Sequence, residues 1–449
     1  MTPRSKKPSA GEIYVAMPPT EVPEVPEVPA EPEEPVEEEP EEPEEPALPL
    51  ELPAPGPNPF EGKTLFANPE WSQKLEQTYD AFVEAGDEKN AARVRVIQDI
   101  GTFVWVSNIA SLKNIDAAIE SARAVKEETG EDVIVGLVLY NLPDRDCSAG
   151  ESAGELKSEE DGLQRYKDEY IKPYAEKVSA ADDLTFAIVL EPDSLANAIT
   201  NTGIPFCEQA IPIYEEGIAH AISQLQFDNV HLYLDAAHGG WLGWDDNLEP
   251  TAKQFAKVVR LAGEGTQRIR GFATNVSNYN PYNATVRENY TEWSNSWDEN
   301  HYTQSLAAFL EIEGLPTSFI VDQGRVHLPG AREEWGEWCN VAPAGFGGAP
   351  GSSTFGNEFV DSLVWIKPGG ESDGECGMEG ATRAGVWFDE YTQMLVRNAN
   401  KELFPDEPEE EVPEEETPRR KPPRRRPLKR RPLKRRPRRG GSRGGGSRG

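Results

Sequence analysis

Carboxylates recur where the chain leaves short apolar runs. Asp144 and Asp146 follow a run ending at Tyr140, Asp193 follows one ending at Glu191, and Asp235 ends a run with His238 close behind. Asp322 with Arg325, and Lys367 with Glu371 and Asp373, stand behind two more, while Asn108, Asn275 and Asn278 hold the same place elsewhere. Several carboxylates that converge can divide the work of a general acid and a general base, because burial and close like charges push their pKa values apart. Loop residues are polar in any protein, so one such aspartate carries no weight alone. The repetition of the pattern is what points to a site.

Aromatic side chains share these segments: Trp105, Tyr140, Trp241, Trp244, Trp335 and Trp338. Trp241 and Trp244 stand among Gly239, Gly240 and Gly243 with no apolar stripe to join, which favours a platform over a core role. An indole face stacks on the C–H face of a sugar ring and buries a large area at low entropic cost. An acidic centre lined by tryptophan reads as a glycoside hydrolase. Other chemistries are poorly supported. The Gly150–Gly154 segment matches G-x-S-x-G, but its Ser152 does not follow directly from a strand as a nucleophile elbow must. Gly56 to Thr64 resembles a phosphate loop but has five intervening residues and two prolines where backbone N–H groups should point at phosphate. The five histidines form no HExxH, and the four cysteines have no C-x-x-C spacing or nearby histidine pair, so no metal is expected.

Seven apolar, β-branched runs precede these groups: 102–107, 132–140, 184–191, 230–235, 270–276, 317–322 and 362–367. Segments of helical period separate most of them, such as Ile115, Ile119, Ala122 and Val125, or Tyr214, Ile218, Ala221, Ile222 and Leu225. Alternation of strand and helix over some 300 residues predicts an α/β fold with a parallel sheet closed into a barrel, with a doubly wound open sheet as the alternative. In a barrel the polar groups would gather on the C-terminal face, where loops build active sites.

The ends differ from this middle. Residues 1–58 are a Pro-Glu spacer, read as extended and disordered, and residues 405–449 are an acidic then basic tail, also disordered, with no partner identified; residues 59–404 form one domain. The chain of 449 residues has a formal net charge of −34, and the middle holds 56 acidic against 26 basic side chains. That surface repels polyanions such as nucleic acids and suits a neutral or cationic substrate. No run of 18 apolar residues offers a membrane span. The first residues lack the apolar core of a signal peptide, yet four cysteines can form two disulfides in three pairings, and sequons stand at Asn275, Asn283 and Asn289. Secretion is the expectation on these grounds. Asn275 belongs to a segment placed at the cleft, where a glycan would obstruct substrate, so it is expected to be unmodified.

The segments NLPDRDC (141–147), LEPDSLAN (190–197), YLDAAHGGWLGW (233–244), ATNVSNYNPYN (273–283), DQGR (322–325), EEWGEWCN (333–340) and VWIKPGGESDG (364–374) resemble the motifs of glycoside hydrolase family 6, especially the fungal-type cellobiohydrolases. The likeness runs over about 59–404 and leaves out both tails. It implies a distorted seven-stranded parallel β/α barrel, TIM-like, that cleaves the β-1,4 bonds of cellulose or cello-oligosaccharides with inversion, as a monomer and without a cofactor. Asp193 matches the general acid, with its pKa raised by the neighbouring carboxylate that Asp146 matches. Asp373 matches the candidate base, and Ser152 with Asp146 the positions near which a proton is relayed through water. Tyr140 matches the ring that crowds the sugar about to be cleaved. Trp105, Trp241, Trp244 and Trp338 match glucose-stacking positions, and Asp235, His238, Asn275, Lys367 and Glu371 match groups that bind sugar hydroxyls or hold the carboxylates. The resemblance also pairs Cys147 with Cys207 and Cys339 with Cys376. The loop from Asp146 to Lys167 has the length of one that roofs the cleft of a chain-end enzyme, whereas Asp373 to Trp387 is markedly shorter, which leaves endo action open.

Overall fold

The computed structural model describes residues 48–53, 56–263 and 268–407. Among them, eight parallel strands form one curled sheet: β1 (Thr64–Leu65), β2 (Val104–Val106), β3 (Val133–Leu139), β4 (Thr185–Leu190), β5 (Val230–Asp235), β6 (Ile269–Thr274), β7 (Ser318–Asp322) and β8 (Val360–Val364). Seven are the apolar runs of the sequence. The additional β1 shares one edge of β3 with β2: Thr64 and Leu65 pair with Val133 and Ile134, and Val104 to Val106 pair with Leu137 to Leu139. From β3 to β8 the strands pair in chain order, with no reversal of direction. A doubly wound sheet requires such a reversal, so the barrel is the correct alternative.

Closure is incomplete. Between β8 and β2 the link is the Phe103 N–H donating to the Trp365 carbonyl at 3.0 Å, with the Trp105 indole N–H donating to the Ile366 carbonyl at 2.9 Å. Alternate residues sort to the two faces as the strand period requires. Ile134, Val138, Ala187, Val189, Tyr233, Ala273, Ile320 and Val364 fill the barrel, while Val135, Leu137, Ile188, Leu232, Phe272 and Val321 pack outward against helices. Gly136 lies on the inner face of β3, where any Cβ would press into the Phe103 ring that plugs the barrel.

The helix Lys113–Thr129 buries Ile115, Ala118, Ile119 and Ala122 as its period predicts, and Gly130 at φ 73° ends it; Val125, expected on that stripe, is exposed instead. A second core forms where the helices Pro69–Glu84, Glu88–Gln98 and Asp389–Arg397 pack Trp71, Phe82, Ile97 and Leu395 against Trp365 beside the seam. The first of these helices starts at Pro69 because Asn68 caps it, its side chain accepting from the N–H groups of Glu70 and Trp71. The ordered chain begins ahead of residue 59: the Leu50 N–H donates to Glu313 at 2.8 Å, and Asn58 donates to the Asp361 carbonyl at 2.8 Å. Of the tails read as disordered, 1–58 and 405–449, residues 1–47, 54–55 and 408–449 lie outside the described residues.

Candidate active site

The loops leaving the C-terminal ends of the strands turn sharply. Asp146, Glu191, Asp193, Ala237, Asn275 and Ser277 all take positive φ, between 46° and 67°. Non-glycine residues hold such angles at a cost of order 1–3 kcal/mol each, and persist in them where the surroundings fix the turn. Buried carboxylates do that fixing here. Glu191 accepts from the N–H groups of Asn141 and Leu142 and from the Tyr166 hydroxyl, at 3.1, 3.2 and 2.8 Å. Asp235 accepts the N–H of Asp193 at 2.9 Å and that of Ala237 at 3.1 Å. Asp322 accepts from Ser277, Gly324, Ile366 and Lys367, tying together the loops after β6, β7 and β8. Burial pushes Glu191 and Asp235 up to about 7.

These turns frame a cleft of about 530 Å³. Tyr140, Asp146, Ser152, Asp193, His238, Trp241, Trp244 and Trp338 line it, as their motifs predict, and so do Asn197, Asn201, Asn278 and Trp335. Asp193 sits immediately before the helix Ser194–Thr200, half-buried, with its backbone held by Asp235. Its carboxyl is raised well above the usual range, first by burial, then by the charge of Asp235, then by that of Asp146. The sequence reading named Asp146 as the neighbour responsible. The structure ranks burial and Asp235 above it, because Asp235 is sealed behind the strand end while Asp146 opens onto the cleft. Asp146 is itself raised by burial and pinned by the Ser152 N–H at 2.6 Å. Ser152 thus acts through its backbone, and its carbonyl is in turn held by Arg145 at 2.8 Å.

The aromatic walls are fixed by their own polar edges. The Trp241 indole N–H donates to the Thr200 hydroxyl at 2.7 Å and that of Trp244 to the Gly240 carbonyl at 3.0 Å, which fixes both rings in the wall; Trp241 also packs against the main core, which the sequence reading did not expect. Trp335 packs edge-on against Trp244 with centroids 6.4 Å apart, and a Cβ on Gly240 would overlap its indole. Tyr140 meets Trp105 edge-on at 5.3 Å and carries the Arg145 guanidinium 4.1 Å above its ring. His238 is pushed down to about 3 by burial and by Arg332, so it is neutral. Its Nδ1 accepts the Gly240 N–H at 3.1 Å, which leaves the proton on Nε2.

Six predicted residues do not line the cleft. Asp235 is buried behind the strand end, and Trp105 meets the cleft residue Tyr140 edge-on. Asn275 is fully buried, its amide donating to the carbonyls of Asn280 and Asp322 and its oxygen accepting from Asn280, so nothing remains for a sugar. Glu371 pairs with Lys74 at 2.8 Å. Lys367 lies 5.6 Å above the Trp105 ring and 3.9 Å from Asp373, and burial lowers its pKa. Asp373 is buried, with one carboxylate oxygen accepting from Arg325 at 2.7 Å, the Asn340 N–H at 2.9 Å and the Tyr279 hydroxyl at 3.1 Å.

Cys147 pairs with Cys207 and Cys339 with Cys376, in the pairing that the family resemblance implied. The first ties the Asp146 turn to the helix Pro205–Gln224, and the second ties the Trp338 segment to the Asp373 loop. Among the described residues no three metal-ligating side chains converge, and no helix is long and apolar enough to cross a membrane.

The model of the glycosyl hydrolases family 6 matches residues 60–399. The 1,4-beta-D-glucan cellobiohydrolase CEL6B of Podospora anserina is 65% identical over 350 residues, 77% of this chain and 83% of that protein. The solved structure of endoglucanase CEL6B from Humicola insolens is 56% identical with a TM-score of 0.75, covering 77% of this chain and 99% of that one. That of CcCel6C, a glycoside hydrolase family 6 enzyme from Coprinopsis cinerea, is 46% identical with a TM-score of 0.73, covering 76% and 98%.

Proposed function

The chain belongs to the glycosyl hydrolases family 6 and hydrolyses β-1,4-glucosidic bonds of cellulose with inversion, and we propose that Asp193 is its general acid and cellobiose from chain ends its main product. The observation that carries the assignment of the acid is the carboxyl of Asp193, which faces the cleft and whose pKa is raised by burial, then by Asp235 and Asp146. A carboxyl that still holds its proton near neutral pH can give it to the departing glycosidic oxygen. Water then attacks the anomeric carbon from the opposite sugar face and passes its proton on.

Asp146 and Ser152 line the cleft where such a proton could leave, with Asp146 oriented by the Ser152 N–H. Asp373 acts as an anchoring charge in this scheme. Its oxygen already accepts three hydrogen bonds, one from the Arg325 guanidinium, and the residue is buried outside the cleft lining. Tyr140, stiffened by Trp105 and Arg145, crowds the sugar at the scissile bond, and Trp241, Trp244, Trp335 and Trp338 carry the flanking rings. Replacing Asp193 by Ala should abolish turnover and leave cello-oligosaccharide binding in place; undiminished turnover would remove the assignment.

Endo action on the same site is the second reading, favoured by the segment after Asp373. It folds back on itself through Ser372, which exchanges hydrogen bonds with Thr382, Gly385 and Val386, and its Met378 and Ala381 lean on the second core. None of residues 374–386 lines the cleft, and Gly374 meets the Asp146 loop against the Glu151 side chain. A rapid fall in carboxymethylcellulose viscosity would favour this reading, and slow thinning with steady cellobiose release the chain-end one. Two disulfides support export to an oxidising compartment. The reading is of a monomer, which sedimentation equilibrium would test.

A further inference from the structure

Trp293 is 83% exposed, the most exposed tryptophan among the described residues. Its neighbours along the chain are bonded to the cleft wall. Three residues before it, Tyr290 packs edge-on against Trp335 with centroids 5.3 Å apart, and Trp335 lines the cleft. Two residues after it, the Asn295 amide donates to both carboxylate oxygens of Asp245, at 3.1 and 2.9 Å, and Asp245 follows Trp244 directly. The Arg287 guanidinium gathers the carbonyls of Thr291, Glu292 and Ser294 beneath the turn, and Trp297 packs against His301 with the rings tilted by 36° and centroids 4.3 Å apart where the next helix begins. The Ser296 carbonyl meets Gly239, closing the segment onto the loop that holds Trp241 and Trp244.

A large apolar ring left in water on a flexible tip is a surface accident; held on a fixed turn beside a row of indoles, it is a preorganised contact. We infer that Trp293 is a distal glucan-binding platform on the rim of the cleft, where a cellulose chain that has passed Trp244 and Trp335 leaves the enzyme surface or lies upon it. This rests on the reading of the cleft as a glucanase site and extends it to insoluble substrate. The ligand is the C–H face of a β-1,4-linked glucose unit, which the indole can cover without giving up any hydrogen bond. Continuity with the tryptophan row favours a sugar chain over a second copy of the protein.

The test compares the full chain with Trp293→Ala and Trp293→Tyr, measuring partition onto microcrystalline cellulose, cellobiose release from it, and turnover of cellotetraose. The loss of one stacked ring predicts at least about a threefold fall in partition for Trp293→Ala, with release from the solid falling by more than cellotetraose turnover, and Trp293→Tyr keeping most of both. Wild-type partition by Trp293→Ala would overturn the inference, as would equal losses on the solid and on cellotetraose. A dimer in sedimentation that Trp293→Ala dissolves would assign the ring to a second copy and overturn it too. A wild-type chain that leaves cellotetraose intact would instead defeat the glucanase reading itself.

Discussion

Asp235→Asn separates charge from shape at the acid. Asp235 holds the N–H groups of Asp193 and Ala237 through one carboxylate oxygen, while its other oxygen, buried, has no partner. An asparagine can keep its oxygen on both N–H groups and put its amide where that free oxygen was, so the turn is retained and the charge is lost. The Asp193 N–H lies 2.9 Å from the Asp235 carboxylate. The charge of Asp235 is therefore held close to the Asp193 carboxyl and, after burial, is the larger of the two like charges that raise it. Burial of Asp193 is untouched by the change, so its carboxyl stays raised, by less.

The acid must be protonated, so activity falls as pH rises through its pKa. Removing the Asp235 charge should move the alkaline limb of kcat/KM to lower pH, leaving the low-pH rate within about threefold. Stability moves the other way. Asp235 is raised from 3.8 to about 7 in the folded chain, so its contribution is fully present below the unfolded value and is lost as pH rises through the folded one. The variant should therefore melt higher than wild type at pH 8 and the same at pH 4, the difference being at most about 4 kcal/mol. The assay is a pH profile on a chromogenic cellotrioside, with melting curves at the two pH values. An unmoved alkaline limb would refute the coupling of these two carboxyls.

Three further outcomes follow from the same geometry. Replacing Cys147 and Cys207 by Ser opens a loop of 60 residues. Loop entropy makes that worth about 4 kcal/mol, or a fall of about 6 °C in Tm for a domain of this size, and kcat should drop as the Asp146 turn loosens; an unchanged melting curve would contradict it. Arg325→Leu takes the nearer cation from the buried Asp373, leaving Lys367 at 3.9 Å, and should cost about 3–5 kcal/mol in thermal unfolding, while Arg325→Leu with Asp373→Leu should cost less than the sum of the two single changes; strict additivity would show that the pair is not coupled. Asn275 should yield an unmodified peptide in glycopeptide mapping, because both ends of its side-chain amide are bonded inside the fold; sugar there would contradict the buried placement.

The barrel was legible because its strands are runs of β-branched residues whose two faces are both buried, and the helices between them keep a 3.6 period. β1 escaped notice because two residues, Thr64 and Leu65, have no period to detect. Val125 shows the limit of a stripe: the same helix face that buries Ile119 and Ala122 runs out into solvent a turn later. At the site, residue type and distance from a strand end located Asp146, Asp193, Trp241 and Trp244, but not where a side chain turns once the loop begins. Asn275 and Asp193 both take positive φ just beyond a strand, yet one side chain is locked into the backbone and the other lines the cleft. Glu191, two residues before the acid, gave no sign of stapling the loop after β3, because its partners Asn141, Leu142 and Tyr166 are 25 to 50 residues away along the chain. The Arg325–Asp373 pair was hidden for the same reason, its members being 48 positions apart.

The most direct test of the central claim is a proton NMR time course of cellotetraose hydrolysis that reads the released anomer before mutarotation. Inversion with Asp193 as the acid predicts α-cellobiose at the earliest points, and none from Asp193→Ala. Early β-cellobiose, or a tetraose that binds and stays whole, would contradict the account.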